Sequence, residues 1–388
     1  MLTLLRNAAV HAPAPLGLVD LLVAGERIVQ LGPALPALPA AYDVHEVDLG
    51  GARVIPGLVD GHAHVTGGGG EAGVHTRVPA PTLTQWTRAG ITSVVGTLGT
   101  DAETRGMAEL LAQVRALRHE GMSAWCWTGG YHLPPRTFTG SLRGDIVHLE
   151  AVIGVGELAI SDHRSSQPTL DELARAASEA HVAGLLTGKA GVLHLHVGNG
   201  ARGLSQLAAL LDATELPPRV FMPTHVNRRR ALFEEAIALA QRGCTVDVTA
   251  FPVDEGEDAW HAADALERWW RAGAPRDRIT VSTDAGGTLP HFDAQGNVVS
   301  YGVGDPASLL ATIATLVARG HALADVLPPF TSTPAAHLRL VRKGTIAVGM
   351  DADLVVLDDA CAARHVLARG RWHVRDGETV VRGTFERG

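Results

Sequence analysis

Val54-Ile55-Pro56-Gly57-Leu58-Val59-Asp60-Gly61-His62-Ala63-His64-Val65-Thr66-Gly67-Gly68-Gly69-Gly70-Glu71-Ala72-Gly73 is the stretch from which the fold is read. Val54, Ile55, Leu58 and Val59 read as one buried strand, and His62 and His64 follow at i, i+2, the spacing that puts two side chains on one face of an extended chain. Two imidazoles on one face can grip one metal ion, because neutral imidazole nitrogen is a preferred ligand of Zn²⁺ and its neighbours. A lone His-x-His is a weak signal, so its weight depends on partners downstream.

From Val54 onward apolar strands alternate with amphipathic stretches, the pattern of a parallel α/β architecture. Eight strands are predicted: 58–62, 91–98, 124–128, 152–157, 192–197, 220–225, 244–249 and 279–284. Helical periodicity marks 169–183, 204–214, 231–242, 257–271 and 307–318 between and after them. Eight such units make a (β/α)₈ TIM-like barrel spanning residues 54–340. Residues 1–53 carry short β-like pieces broken by turns, and β-like sequence returns within 341–388. These two ends are expected to pair into one small β-sandwich domain beside the barrel.

The polar stations test the barrel. At roughly 31 residues per βα unit, the intervals from His64 to Glu157, His196, His225 and Asp284 correspond to about three, one, one and two units. The stations therefore fall on strands 1, 4, 5, 6 and 8, each at a C-terminal end, where barrel enzymes assemble their sites. Four histidines and two carboxylates at one mouth make a metal-ligand set: His62, His64, Glu157, His196, His225 and Asp284. His194 competes with His196 for the strand 5 position. The residue nearer the rim is preferred, with His194 hydrogen-bonded one layer deeper.

Composition narrows the function. The 388 residues are 46% hydrophobic and 19% charged, a globular balance, and a net charge of −8 without a long basic run argues against nucleic acid. Cys126, Cys244 and Cys361 are far apart and odd in number, which fits reduced thiols better than a disulfide framework. The first residues show no basic region followed by an apolar one, and no stretch reaches the roughly 18 apolar residues of a membrane span. A soluble, cytoplasmic protein is expected.

His62-Ala63-His64, a carboxyl-bearing residue on strand 4, histidines closing strands 5 and 6 and an aspartate closing strand 8 resemble the amidohydrolase superfamily. The segment Lys343-Gly344-Thr345-Ile346-Ala347-Val348-Gly349-Met350-Asp351-Ala352-Asp353-Leu354-Val355 is similar to its return to the β domain. Within it, Gly67-Gly68-Gly69-Gly70-Glu71, Gly99-Thr100-Asp101, Thr128-Gly129-Gly130-Tyr131 and Ala159-Ile160-Ser161-Asp162-His163-Arg164-Ser165 resemble the isoaspartyl dipeptidase family. That resemblance implies substrate contacts at Glu71, Thr100, Tyr131, Arg164 and Arg228, with Thr288 where the family has serine. It also implies Zn²⁺, two ions per chain, a small dipeptide substrate and a homo-oligomer.

Glu157 departs from the family, whose strand 4 ligand is usually a carboxylated lysine bridging two metals. Glutamate offers the same carboxylate on a stem about three atoms shorter, so either the backbone moves inward or one metal is held differently; an extra residue near Gly154-Val155-Gly156 is placed to permit the shift. The expected chemistry is hydrolysis of β-aspartyl dipeptides by a metal-activated hydroxide, water's pKa being drawn from 15.7 toward about 7. Asp284 serves as general acid/base and Tyr131 as a partner for the carbonyl oxygen. One acidic residue for an ammonium group, Glu71, and two arginines for carboxylates describe a small zwitterionic dicarboxylic substrate. The alternatives are an amidohydrolase acting on a cyclic amide or N-acyl amino acid, and a non-catalytic metal-binding scaffold.

Overall fold

The computed structural model describes residues 2–292 and 298–387. Its centre is a ring of eight parallel strands: β1 (Leu58–Ala63), β2 (Ile91–Gly96), β3 (Ser123–Thr128), β4 (Val152–Ile160), β5 (Leu193–Val197), β6 (Phe221–Thr224), β7 (Val246–Thr249) and β8 (Ile279–Ser282). One helix follows each strand: α1 (Leu83–Arg88), α2 (Met107–His119), α3 (Leu142–His148), α4 (Leu170–Thr187), α5 (Ser205–Ala213), α6 (Arg230–Gln241), α7 (Ala262–Arg271) and α8 (Ser308–Ala318). The expected (β/α)₈ barrel is therefore present, strand for strand.

Strands β1 to β6 form one continuous parallel ladder, and β7 and β8 pair as a second. The seams close through other groups. Asn227 bonds the backbone of Thr249 with both ends of its amide, and the chain just beyond β8 bonds to β1 through Asp284 N to His62 O at 3.1 Å and His64 N to Ala285 O at 2.8 Å. The latter pair fixes Asp284 beside the two histidines of β1.

The helices bury the stripes that the sequence pattern predicts. In α6, Leu232, Phe233, Ala236, Ile237 and Ala240 recur at helical spacing and all are buried in the barrel core. Truncating Phe233 to alanine there costs about 3–5 kcal/mol. α4 opens on a reciprocal cap between Thr169 and Glu172 and ends at Gly188, whose φ of +74° supplies the left-handed turn.

Beside the barrel, both ends of the chain build one nine-stranded sheet, with Leu2–His11 paired to Pro15–Ala24, and Leu354–Leu357 paired antiparallel to Arg53–Pro56. Its own core includes Leu5, Leu21, Ile28, Val54, Leu354, Val356 and Leu367. This corrects the reading of residues 54–59 as one strand. Val54 and Ile55 lie in the small sheet, and only Leu58 and Val59 belong to the barrel. The break is at Gly57, where a Cβ would lie 2.2 Å from the Thr92 hydroxyl, so only glycine lets the chain pass so close to β2. A second element, not expected from sequence, is the hairpin Thr288–Phe292 with Val298–Val303 beyond β8. Among the described residues no helix is long and apolar enough to cross a membrane.

Candidate metal centre and substrate pocket

At the C-terminal mouth the six expected ligands come together. Asp284 Oδ1 lies 3.3 Å from His62 Nε2 and 3.1 Å from His64 Nε2. Glu157 spans the site: Oε1 is 3.5 Å from His64 Nε2, while Oε2 is 3.2 Å from His196 Nδ1, 3.6 Å from His62 Nε2 and 3.7 Å from His225 Nε2. Two groups with metal-ligand spacing result, His62, His64 and Asp284, and His62, Glu157 and His225.

The reach of Glu157 has a backbone cause. In the ladder between β4 and β5, Leu193 pairs with Val155 but Leu195 with Leu158, so β4 carries one extra residue there, a β-bulge that re-aims a side chain. β4 also continues to Ile160, where the sequence predicts its end at Glu157. Asp284 and His225 each adopt left-handed backbone, φ +54° and +62°, conformations that are costly for such residues and cluster at functional sites.

His62, His196 and His225 each have one nitrogen tied and the other aimed at the carboxylates, whereas Nδ1 of His64 is buried without a partner. Nδ1 of His62 contacts His194 Nε2 at 2.7 Å, and His194 in turn contacts Met222 O through Nδ1 at 3.0 Å. Burial, then the neighbouring His62, holds His194 well below the usual histidine range, so it is neutral. Its proton therefore goes to Met222, it accepts from His62 Nδ1–H, and Nε2 is the nitrogen that His62 would offer to a metal. Trp127 stacks on His194 at 4.8 Å and keeps the ring in place. His225 Nδ1 is tied to the Thr249 hydroxyl at 2.7 Å, and His196 Nε2 to Asp162 Oδ2 at 3.0 Å. These are the outer partners that orient metal-binding histidines.

The donor set fits a divalent cation. His62 Nε2, Glu157 Oε1 and Asp284 Oδ1 are buried with no hydrogen-bond partner, an expensive condition that a cation relieves. Although burial opposes it, Glu157 and Asp284 raise His62 to about 9, so the carboxylates draw positive charge to the position a metal would take.

The residues expected to contact substrate ring the same mouth. Tyr131 donates to His196 Nδ1 at 2.8 Å, and burial, then the charge of Glu157, raises its phenol well above the ordinary value, so it stays a proton donor. Glu71 Oε1 accepts from Thr100 Oγ1 at 3.0 Å and Arg164 NH1 at 3.2 Å. One nitrogen of Arg164 and one of Arg228 each lie 3.4 Å from His196 Nε2, so both guanidiniums meet at one imidazole. Arg228 also donates to Val197 O at 2.9 Å, and among the described residues no carboxylate lies within 4.0 Å of it. Thr288 Oγ1 is buried without a partner against the glycine loop, where a Cβ on Gly69 would approach it to 2.6 Å.

Asp162 was not singled out from sequence, yet it joins the two halves. Besides His196, it accepts from Arg164 Nε at 3.1 Å, NH2 at 2.8 Å and backbone N at 2.8 Å. Its place two residues before Arg164, where a short acidic side chain bonds the following backbone, was the available signal.

Residues 53–372 match the family described as "Amidohydrolase family". Two crystal structures of a beta-aspartyl dipeptidase from Fervidobacterium islandicum AW-1 are similar over nearly the whole chain. One, in complex with beta-Asp-Leu dipeptide, is 39% identical with a TM-score of 0.92 over 98% of this chain and 97% of that one. The other is 37% identical with a TM-score of 0.89 over 98% of each. An imidazolonepropionase from Ruegeria pomeroyi is 34% identical over 139 residues, and the chain covers only 34% of that relative's length.

Proposed function

The chain belongs to the amidohydrolase family, and from that premise we propose that it is a metal-dependent dipeptidase hydrolysing β-aspartyl dipeptides. The observation that carries the reading is the convergence of Arg164 and Arg228, each 3.4 Å from His196 Nε2, next to a Glu71 that Arg164 also touches. A substrate with two carboxylates and one ammonium group matches that set, and cyclic amides do not call for it.

His62, His64 and Asp284 would hold one cation, and His196 and His225 a second, with Glu157 between them. When bound, such ions polarise the scissile carbonyl and lower the pKa of water. The chain's own groups supply the rest. Arg228, which no carboxylate pairs among the described residues, receives one substrate carboxylate through its paired N–H donors. Arg164, braced by Asp162, receives the other, and Glu71 the ammonium. Tyr131 donates to the carbonyl oxygen as it becomes anionic. Asp284 takes the proton of the attacking water and returns it to the leaving amine.

The three cysteines are free and buried, which suits a reducing compartment. We infer a cytoplasmic homo-oligomer using zinc, with two ions per chain; fractionation, light scattering and elemental analysis test these points. The activity is tested by comparing β-Asp-Leu with α-Asp-Leu. Moving the amide to the α-carboxyl displaces the carbonyl while the charged groups stay anchored, and about 1 Å of misplacement can cost 10²-fold. A kcat/KM for β-Asp-Leu at least that much higher is expected; equal values for the two isomers would refute the reading.

A further inference from the structure

The end of the barrel opposite the histidine mouth holds a separate cavity of about 420 Å³. Val192, Val220 and Arg278 line it, and each immediately precedes a barrel strand, β5, β6 and β8. It is thus at the N-terminal face, remote from the chemistry, and its volume lies within the roughly 300–1,000 Å³ typical of small-molecule sites.

Its charge is unusual for a chain of net charge −8. Arg219, Arg278 and Arg339 line the cavity, with Asp277 the sole acidic residue among the described lining residues. That carboxylate stays 3.8 Å from Arg278 and is 78% exposed. Among the described residues, no carboxylate lies within 4.0 Å of Arg219 or Arg339, and Arg339 donates instead to Lys189 O at 3.2 Å.

The two lining histidines register this field. Burial lowers His181, and Arg219 and Arg339 lower it further; burial lowers His337 to about 3, with Arg278 and Arg339 adding to it. Each imidazole therefore feels two of the three guanidiniums, so the cations surround the space. His337 contacts Thr245 Oγ1 through Nδ1 at 3.0 Å, and its Nε2 is shielded from solvent with no hydrogen-bond partner. A concave surface with two guanidiniums, Arg219 and Arg339, that no carboxylate pairs among the described residues, and with a shielded imidazole nitrogen lacking a partner, is suited to an anion.

We propose that this cavity binds a small multivalent oxyanion, either phosphate-bearing or polycarboxylate. Guanidinium forks pair with both chemistries through parallel N–H donors, and three of them favour several negative charges over one. Occupancy ties together the starts of three strands whose far ends carry His196, His225 and Asp284, and it stabilises the fold by linkage.

The test is calorimetric titration of the metal-loaded protein at fixed ionic strength, with inorganic phosphate in one arm and tricarballylate in the other. At least one probe is expected to bind with Kd at or below about 1 mM and to raise Tm. The Arg219→Gln/Arg278→Gln variant should weaken that binding at least about tenfold and leave dipeptide turnover unchanged. Arg339→Gln provides the same reading should the double variant fold poorly. Absence of saturable binding by either probe overturns the proposal. So does binding that survives the cavity variants, or that disappears in Arg164→Gln, since the anion then sits at the catalytic mouth.

Discussion

Nδ1 of His62 lies 2.7 Å from Nε2 of His194, so a fully buried histidine one layer below the mouth decides which nitrogen His62 presents to a metal. His194→Phe keeps the stack on Trp127 and removes the acceptor. Metal affinity is expected to fall about 10–100-fold, read by competition with a chelator. His194→Gln, which retains an acceptor oxygen, should recover part of the loss. Unchanged affinity in the phenylalanine variant would reduce His194 to packing.

Asp162 holds Arg164 and His196 at once, so its loss should act on two measurable quantities. In Asp162→Asn the amide can present a donor to His196 Nε2–H, and the brace on Arg164 loses its charge. KM for the β-linked dipeptide should rise and metal affinity should fall, whereas Arg164→Gln should raise KM alone. If Asp162→Asn matched Arg164→Gln in both quantities, the bond to His196 would carry no weight.

The barrel and its ligand stations were legible because both rest on periodicity: apolar runs at βα spacing, with His62, His64, His196, His225 and Asp284 beyond or near the ends of those runs. The candidate substrate contacts Glu71, Arg164 and Arg228 came from motif resemblance, since a surface ion pair and a binding residue look alike in sequence. Three things were hidden for physical reasons. The break at Gly57 depends on the approach of Thr92, the role of Asp162 on the fold bringing His196 to it, and the left-handed turns at His225 and Asp284 on backbone dihedrals that no residue type announces.

Asp284→Asn preserves shape and leaves an oxygen near His62 and His64, but cannot take a proton. At saturating metal, bound metal should remain largely intact while kcat falls by roughly 10²–10⁴. Retention of more than about a tenth of wild-type kcat would remove Asp284 from the acid/base role.

His373, in the strand Arg371–Arg375 of the small sheet, is fully buried with neither nitrogen bonded, and burial, then Arg371, pushes it down to about 4. Its folded value lies below its unfolded one, so between these values the unfolded chain binds more protons. Stability is present above about pH 6.5 and is lost as pH falls toward 4, amounting to about 2 kcal/mol between pH 7.5 and 5. Urea unfolding of His373→Met should show a pH dependence smaller by that amount. An identical pH dependence in wild type and variant would mean that His373 is already charged in the fold.

Glu157 is where the sequence departs from the family it resembles, and its two oxygens face different histidines, Oε1 toward His64 and Oε2 toward His196 and His225. The bulge in β4 adds a residue beside Glu157, and on that backbone a carboxylate bridge between two ions would need no lysine carbamate. Activity should then be independent of bicarbonate, and elemental analysis should find close to two metals per chain. A carboxylate between two dications offsets part of their repulsion, so Glu157→Gln should weaken at least one site by removing that charge. Titrating metal into the apo-protein while following turnover separates the bridge from its competitor, a single ion on His62, His64 and Asp284. Activity that climbs until the second equivalent supports the bridge. Full activity at one equivalent with no gain at two rules it out, and leaves Glu157 as a ligand of one ion.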